Sequence, residues 1–539
     1  MRTHAEPFLA LLLHLLINVH HVASFSTPIP YLVKKNRCDP VQSIKANKAT
    51  ATTHQRLLAW KSSLSTELDP DSALQELLSS VGPEDPDICF LFVSSSHAGS
   101  FKRLVKQASE QLPNRTQLMA LVGGGIVGQG SEVDQPSLPA MSMLSGVLPN
   151  GAKLEMFSFN ELNNPPPQDP AFWKELQTNN NNSNNNIVRR PSGQEERPPS
   201  FLLFVDPWSP IDTILHGLCG SVVAGGISVP AQASFQPTVA MKGQALPQGS
   251  AVILRWTGTM GLQAIVSQGC RPVGSIFTVT KISGNALEEL DGVPALQQLQ
   301  KVANEASAED RKLMSAAGYL VGIASSNGIE RGTSSRTDFL IRQIIGFQPD
   351  KGAVVVGSRD VQLGDRVRFH VRDAQAARDD MKLQMERTRS ERLFAGGRAH
   401  CGTPVAALQV SCVARGQGMF QSPDVDVSYV GSLFENTHAD GTDDPISPPP
   451  VAGFFANGEI GPVGVAGFQA HEVIEGTYMH GFTTVVGLLC DFSPSTSDPS
   501  LSSQLSSAEG LGGSTSLQTP SNIMSNDNPS RPSSDDAWE

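Results

Sequence analysis

Ile88-Cys89-Phe90-Leu91-Phe92-Val93 is an unbroken apolar run, followed by a helical pattern near Phe101 to Leu112 and by Leu118 to Val122, which runs into Gly123-Gly124-Gly125. A short apolar run rich in aromatic and β-branched residues reads as a strand buried on both faces, and two such runs separated by a helix imply a βαβ unit. The order returns further along the chain. Phe201-Leu202-Leu203-Phe204-Val205 opens it again, Ile211 to Leu218 supplies a helix, and Ser221-Val222-Val223-Ala224 leads into Gly225-Gly226. A looser third copy opens at Ala406-Ala407-Leu408-Gln409-Val410 and closes at Val451-Ala452-Gly453-Phe454-Phe455. Repetition of this kind predicts a duplicated α/β architecture.

Composition bounds the rest. The 539 residues include 48 glycines and 38 prolines, and only 17% are charged, so a helical bundle is excluded in favour of a turn-rich globular fold. A formal net charge of -12 leaves no footprint for phosphate backbones, and no nucleic-acid partner is expected. The 7 cysteines lack any C-x-x-C pair, and Cys89, Cys219, Cys412 and Cys490 lie in or beside apolar runs, which fits buried free thiols in a reducing compartment.

The first residues read as a leader. Arg2, the apolar stretch Phe8 to Ile17 and the small residues of Val22-Ala23-Ser24 have the layout of a signal peptide over Met1 to Ser24. The run falls short of the roughly 20 residues that span a bilayer, so no stable membrane anchor is expected after its removal. Residues 25–66 carry Lys34, Lys35, Arg37, Lys45, Lys48, Arg56 and Lys61 against the single acid Asp39, which resembles a transit peptide. Joined at Ala23-Ser24-Phe25, the two parts resemble the bipartite leader of secondary plastids, and a plastid location is expected. Secretion is the alternative, with Asn114-Arg115-Thr116 and Asn181-Asn182-Ser183 as glycosylation candidates. Two low-complexity segments, 163–200 and 493–539, are expected to be disordered. The charged stretch 373–398 reads as a solvated helix or insertion.

Chemical signatures are sparse. Gly123-Gly124-Gly125-Ile126-Val127-Gly128 formally matches G-x-G-x-x-G, but Gln129-Gly130-Ser131-Glu132-Val133 reads as turn and strand where a dinucleotide site needs a helix. No phosphate-binding loop, nucleophile elbow or H-E-x-x-H occurs. His471-Glu472 and His480 lack metal-ligand spacing with Cys490. Neither a cofactor, a metal nor a catalytic residue is implied.

The C-terminal part carries Ser411-Cys412-Val413-Ala414-Arg415-Gly416, then Gly453-Phe454-Phe455-Ala456-Asn457-Gly458-Glu459-Ile460-Gly461, then His480-Gly481-Phe482-Thr483. These three elements, in this order, resemble the S-C-x-x-R-G, G-F-F-x-x-G-E-I-G and H-x-x-T patterns of the FIST domain family (F-box and intracellular signal transduction). Leu91-Phe92-Val93-Ser94, Gly123-Gly124-Gly125, Gly130-Ser131-Glu132-Val133 and Leu148-Pro149 resemble its N-terminal part, and Gly364 to Asp373 fits its C-terminal part. The resemblance implies an α+β fold of duplicated mixed and antiparallel sheets layered with helices, a FIST N-terminal domain over 85–330, a FIST C-terminal domain over 331–492, and a sensory module binding small ligands such as amino acids. No F-box pattern precedes the resemblance, which makes adaptor work in ubiquitin ligation doubtful.

Expected ligand contacts are Gly123, Gly124, Gly125, Glu132, Gly225, Gly226, Arg415, Asn457, Gly458, Glu459 and His480. Glycine turns expose backbone N–H groups, a carboxylate such as Glu459 or Glu132 can hold an ammonium, and Arg415 can hold a carboxylate by paired hydrogen bonds, a set suited to a zwitterion. Arg415 and Glu459 can equally pair with each other or cap the turn. Two rival functions stay open: an enzyme built on Asp206, Cys412 and His480, and a scaffold in which a protein partner docks on the Asn/Pro loop or the tail.

Overall fold

The computed structural model describes residues 44–45, 59–82, 85–135, 138–178, 197–230, 236–324, 339–358, 361–394, 401–434, 448–468, 474 and 476–493. Three strand–helix–strand copies build its centre. In copy 1 the strand Ile88–Ser94 lies parallel to Gln117–Gly123, in copy 2 Ser200–Val205 lies parallel to Val222–Ile227, and in copy 3 Thr403–Cys412 lies parallel to Val451–Ala456. Each first strand also takes an antiparallel neighbour on its other side: Met141–Gly146, Ser250–Thr257 and Thr483–Asp491 respectively. The third copy is as regular as the other two, so the repeat is threefold where the sequence predicts a duplication with a loose remnant.

The copies interlock in a cycle. After its second strand each copy sends a strand pair onto the next sheet: Ile126–Gly128 joins the Val451–Ala456 strand, Val239–Met241 joins Gln117–Gly123, and Glu459–Gly461 joins Val222–Ile227. Where the chain crosses over, Gly124 N donates to Phe455 O at 2.8 Å, Val229 N to Val122 O at 3.0 Å and Asn457 N to Ile227 O at 2.9 Å. These three bonds are equivalent under a pseudo-threefold axis. Between the sheets sits one aromatic-rich core in which Phe92, Phe204 and Phe454 meet, with ring centroids 5.5 to 6.4 Å apart.

The crossovers require close approach of backbones. A Cβ on Gly226 would stand 2.5 Å from Val410 Cγ1, and one on Gly124 would stand 2.6 Å from Val413 Cγ1. Gln129 at φ 51° and Gly130 at φ 77° turn the copy 1 hairpin, the positive-φ pair of a type I′ turn. The expectation of turn and strand at 129–133 is met there, and no helix N-terminus follows the glycines.

A fourth, antiparallel sheet leaves this core at Gly269 and returns at Asp373, whose N–H donates to Gly269 O at 3.1 Å. Its seven strands include Cys270–Ser283, Leu320–Ala324, Phe339–Gln348 and Arg366–Arg372, and it packs its own core around Val279, Leu287, Val321 and Phe369 under the helix Ala295–Glu305.

Three expectations change. Trp60–Ser65, inside the segment read as leader, pairs along Met141–Gly146, with Trp60 buried over Gly146, so the folded unit begins before the leader boundary at Thr66. The Asn/Pro stretch is ordered at its start: Asp169 caps the helix Pro170–Leu176, whose Trp173 packs against Phe159. The charged helix, Ala374–Phe394, is not merely solvated. It buries Ala377, Asp380, Met381, Gln384, Met385 and Thr388, while Arg378, Arg389 and Arg392 reach out to backbone carbonyls beside that face. Among the described residues no helix is long and apolar enough to cross a membrane. Residues 1–43, 179–196 and 494–539, with most of the leader and the tail, lie outside the described residues.

Candidate functional site

The first strands of the three copies end at equivalent points, Ser94, Asp206 and Cys412, and the register extends the equivalence to the crossover strands. Ile126, Val239 and Glu459 stand opposite Phe454, Leu121 and Gly226 respectively, and Ala140, Ser250 and Thr483 open or precede the third strands. Each copy therefore has one corner. Copy 1 fills it with Ser94, Ile126 and Ala140, copy 2 with Asp206, Val239 and Ser250, and copy 3 with Cys412, Glu459 and Thr483.

The corners differ in polarity. In copy 1, Ser94 Oγ takes the Ala140 N–H at 3.0 Å and Ile126 is fully buried. In copy 2, Asp206 accepts from Gly249 N at 2.9 Å, Trp208 N at 3.1 Å and Thr238 Oγ1 at 2.5 Å, so its carboxylate clamps the turn. In copy 3, Glu459 has no exposed surface. One carboxyl oxygen, Oε2, accepts from Thr483 Oγ1 at 2.7 Å and Thr483 N at 3.2 Å, whereas Oε1 has no hydrogen-bond partner among the described residues. Burial pushes this carboxyl up to about 8, against the opposing pull of the Thr483 bonds, the Cys412 thiol and Arg415. The Cys412 thiol beside it is driven up by burial and by the Glu459 charge, which disfavours the thiolate that nucleophilic chemistry needs.

On the opposite face of the same sheet end lies a buried ion pair. Arg415 Nε and Nη2 donate to Asp426 Oδ2 and Oδ1 at 2.8 and 2.7 Å, both side chains being almost inaccessible. Thr484 Oγ1 also donates to Asp426 Oδ2 at 2.6 Å. Next to them Glu132 Oε1 accepts from Gln409 Nε2 at 2.7 Å and Val427 N at 3.0 Å, and burial followed by the Asp426 charge raises its pKa to about 7. The loop joining these groups is tied to copy 1 in both directions: Asp134 Oδ2 of copy 1 accepts from Gln417 N at 2.6 Å, and Asp424 Oδ1 of the loop accepts from Glu132 N at 2.6 Å.

The remaining sequence candidates fall as follows. Gly123, Gly124, Gly125, Gly225, Gly226 and Gly458 form the crossovers, where the Gly124 and Asn457 N–H groups are bonded to neighbouring copies. The Asn457 side chain is exposed. His480 is buried across from Glu459, its Nε2 is 3.1 Å from Gly461 O, and burial pushes it down to about 4. Arg415 pairs with Asp426 rather than with Glu459. His471-Glu472 lies outside the described residues.

Sequence reasoning missed Asp426, which carries no motif, and the backbone of Phe482. Phe482 sits at φ 63°, a left-handed conformation costly for an aromatic residue, and its carbonyl accepts from Gly269 N at 2.8 Å and Arg415 Nη1 at 3.4 Å. The turn that places Thr483 on Glu459 is thus strained and tied to the exit of the fourth sheet.

Comparison with known proteins supports the resemblance. Residues 87–293 match the FIST N domain and residues 295–462 the FIST C domain. An uncharacterised protein of Mycobacterium tuberculosis (strain H37Rv) is 33% identical over 295 residues, covering 54% of this chain and 68% of the relative. One from Mycobacterium bovis is also 33% identical over 295 residues, covering 67% of its length. The seam between the two matched domains falls within the fourth sheet, so both contribute to the threefold core. The chain belongs to the FIST family, as a FIST N and FIST C pair that forms a signal-transduction sensory domain.

Proposed function

We propose that this chain is a non-enzymatic sensor that binds a small ligand, an amino acid or similar zwitterion, at the corner of copy 3. One observation carries the reading: of three corners made by the same strands, this is the one that, among the described residues, buries a carboxyl with an oxygen lacking a partner, and a buried arginine lies close enough to act on it. In layered α/β folds ligands bind beyond the carboxyl ends of strands, and here those ends are Cys412 and Ala456. A thermal-shift screen of the full chain against the twenty amino acids tests it. Ligand at about 100 times its dissociation constant adds about 2.7 kcal/mol. An amino acid should raise the melting temperature, and no shift with any of them ends the reading.

We also propose plastid delivery by the leader, supported by its bipartite composition. Because the strand Trp60–Ser65 belongs to the sheet of copy 1, a fluorescent fusion of Met1 to Ala59 is the test. Import into the plastid is expected, and release into the medium would establish secretion instead.

A further inference from the structure

The pseudo-threefold axis allows the chain to be compared with itself. Glu459 stands where copy 1 has Ile126 and copy 2 has Val239, and all three are buried. This backbone accepts an aliphatic side chain at the position twice, so packing does not require an acid there. Hydrogen bonding does not require it either: Thr483 serves Oε2, and beyond the weakly donating Cys412 thiol beside the carboxyl nothing among the described residues offers Oε1 a donor. A half-satisfied buried carboxyl weakens a fold. The strained Phe482 turn beside it is a second departure from local economy at the same place, and such strain concentrates at functional sites.

We propose that Glu459 reads the ammonium group of the ligand and releases its own proton as the ammonium arrives. This rests on the sensory reading above and deepens it. It selects Glu459 over Glu132, whose Oε1 is occupied by Gln409 and the Val427 N–H. It also removes Arg415 as a direct reader of a carboxylate, because Asp426 fills its fork. The step balances simply. A neutral carboxyl and an ammonium become a carboxylate–ammonium pair, one proton leaves to solvent, and no covalent bond of the ligand breaks.

The groups facing Glu459 agree with this. Cys412 and Arg415 approach from copy 3, His480 lies across the hairpin, and the neighbouring strand Val222–Ile227 brings no titratable group. His480 is held neutral by burial, and Arg415 is already neutralised by Asp426. With the empty carboxyl titrating near 8, most molecules at neutral pH carry the proton that binding must displace.

The test uses the full chain, the twenty amino acids, and methylammonium as a probe of the ammonium end alone, with acetate as its counterpart. Calorimetry in phosphate and in Tris should show close to one proton released per amino acid bound at pH 7. Affinity for the amino acid and for methylammonium should rise about tenfold per pH unit from pH 6 to 8 and level off above. Glu459→Gln, isosteric with the protonated form, should keep the melting temperature, flatten that pH dependence and weaken binding at pH 8 at least tenfold. An amino acid that binds with no proton release, or with the same pH profile in Glu459→Gln, overturns the role of Glu459 while leaving the sensory reading intact. If acetate binds and methylammonium does not, the ammonium assignment fails. If nothing binds, both readings fail together.

Discussion

Copies 1 and 3 run the same strands in the same register and end in opposite chemistry. Copy 1 finishes in Ser94, Ile126 and Ala140, an apolar corner with its one hydroxyl satisfied, whereas copy 3 finishes in Cys412, Glu459 and Thr483 with an ion pair behind them. The strands do not demand the difference, because their order and register are shared. Copy 1 shows a way to close this corner without a buried charge, and the departures of copy 3 from it are side chains that closing the corner does not require.

The largest break in the comparison comes from the ion pair. Asp426→Ala leaves Arg415 charged, buried and without its fork partner, and removing one member of a buried pair typically costs about 3–5 kcal/mol. Urea unfolding should show that loss. A double replacement, Arg415→Met with Asp426→Leu, should recover most of it, because an apolar pair of similar volume needs no compensation. If Asp426→Ala cost less than about 1 kcal/mol, the pair would not be the anchor of the copy 3 loop.

Rebuilding the copy 1 corner in copy 3 is the next test. Glu459→Ile with Thr483→Ala removes a buried, half-satisfied carboxyl together with the donor that serves it, and should stabilise by about 1–3 kcal/mol while abolishing amino-acid binding. The same variant should change the pH dependence. Glu459 and Glu132 hold their protons in the folded state up to about 8 and about 7, whereas the unfolded chain releases them near 4.5. The folded state therefore binds more protons, and stability should fall as pH rises, by up to about 1.4 kcal/mol per pH unit for each proton. Below about 6.5 the buried, neutral His370 and His480, both pushed down to about 4, favour unfolding on acidification, so the acids are best isolated between pH 6.5 and 8. Denaturant melts across that window should slope downward in the wild type and less steeply in the double variant. Equal slopes would mean that Glu459 is ionised in the folded state.

Much of this was legible in the sequence, and what was not has a physical reason. The apolar runs at Ile88, Phe201 and Ala406 each became a central strand, because a strand buried on both faces leaves few alternatives for such residues. The turn at Gln129-Gly130 could be read because glycine marks positive φ. The cyclic closure could not be read, since a three-residue strand such as Glu459–Gly461 carries too little pattern to name a partner 233 residues away, Gly226 opposite Glu459. Motif residues Arg415 and Glu459 were found, yet their partners Asp426 and Thr483 were assigned only by the fold, because contact across a sheet end leaves no local spacing. Trp60–Ser65 was read as leader because its lysine and serines match a transit peptide as well as they match an edge strand.

The smallest expected effect falls on the copy 1 hairpin and calibrates the others. If copy 1 is scaffold alone, relieving strain there should leave stability nearly unchanged and ligand binding untouched. Gln129 sits at φ 51°, where a non-glycine residue loses roughly 1 kcal/mol. Gln129→Gly removes that strain but gives the unfolded chain more freedom, worth about 0.5–1 kcal/mol, and it deletes the long side-chain bond from Nε2 to Ser62 O at 3.4 Å. The backbone bond from Gln129 N to Ser62 Oγ at 3.1 Å is kept. The net change should be no more than a few tenths of a kcal/mol in denaturant melts, with amino-acid affinity equal to wild type. A substantial loss of affinity in this variant would show that the copy 1 hairpin, which carries Glu132 two residues beyond the turn, shapes the ligand site, and that the division between scaffold and sensing corners is less sharp than the shared backbone implies.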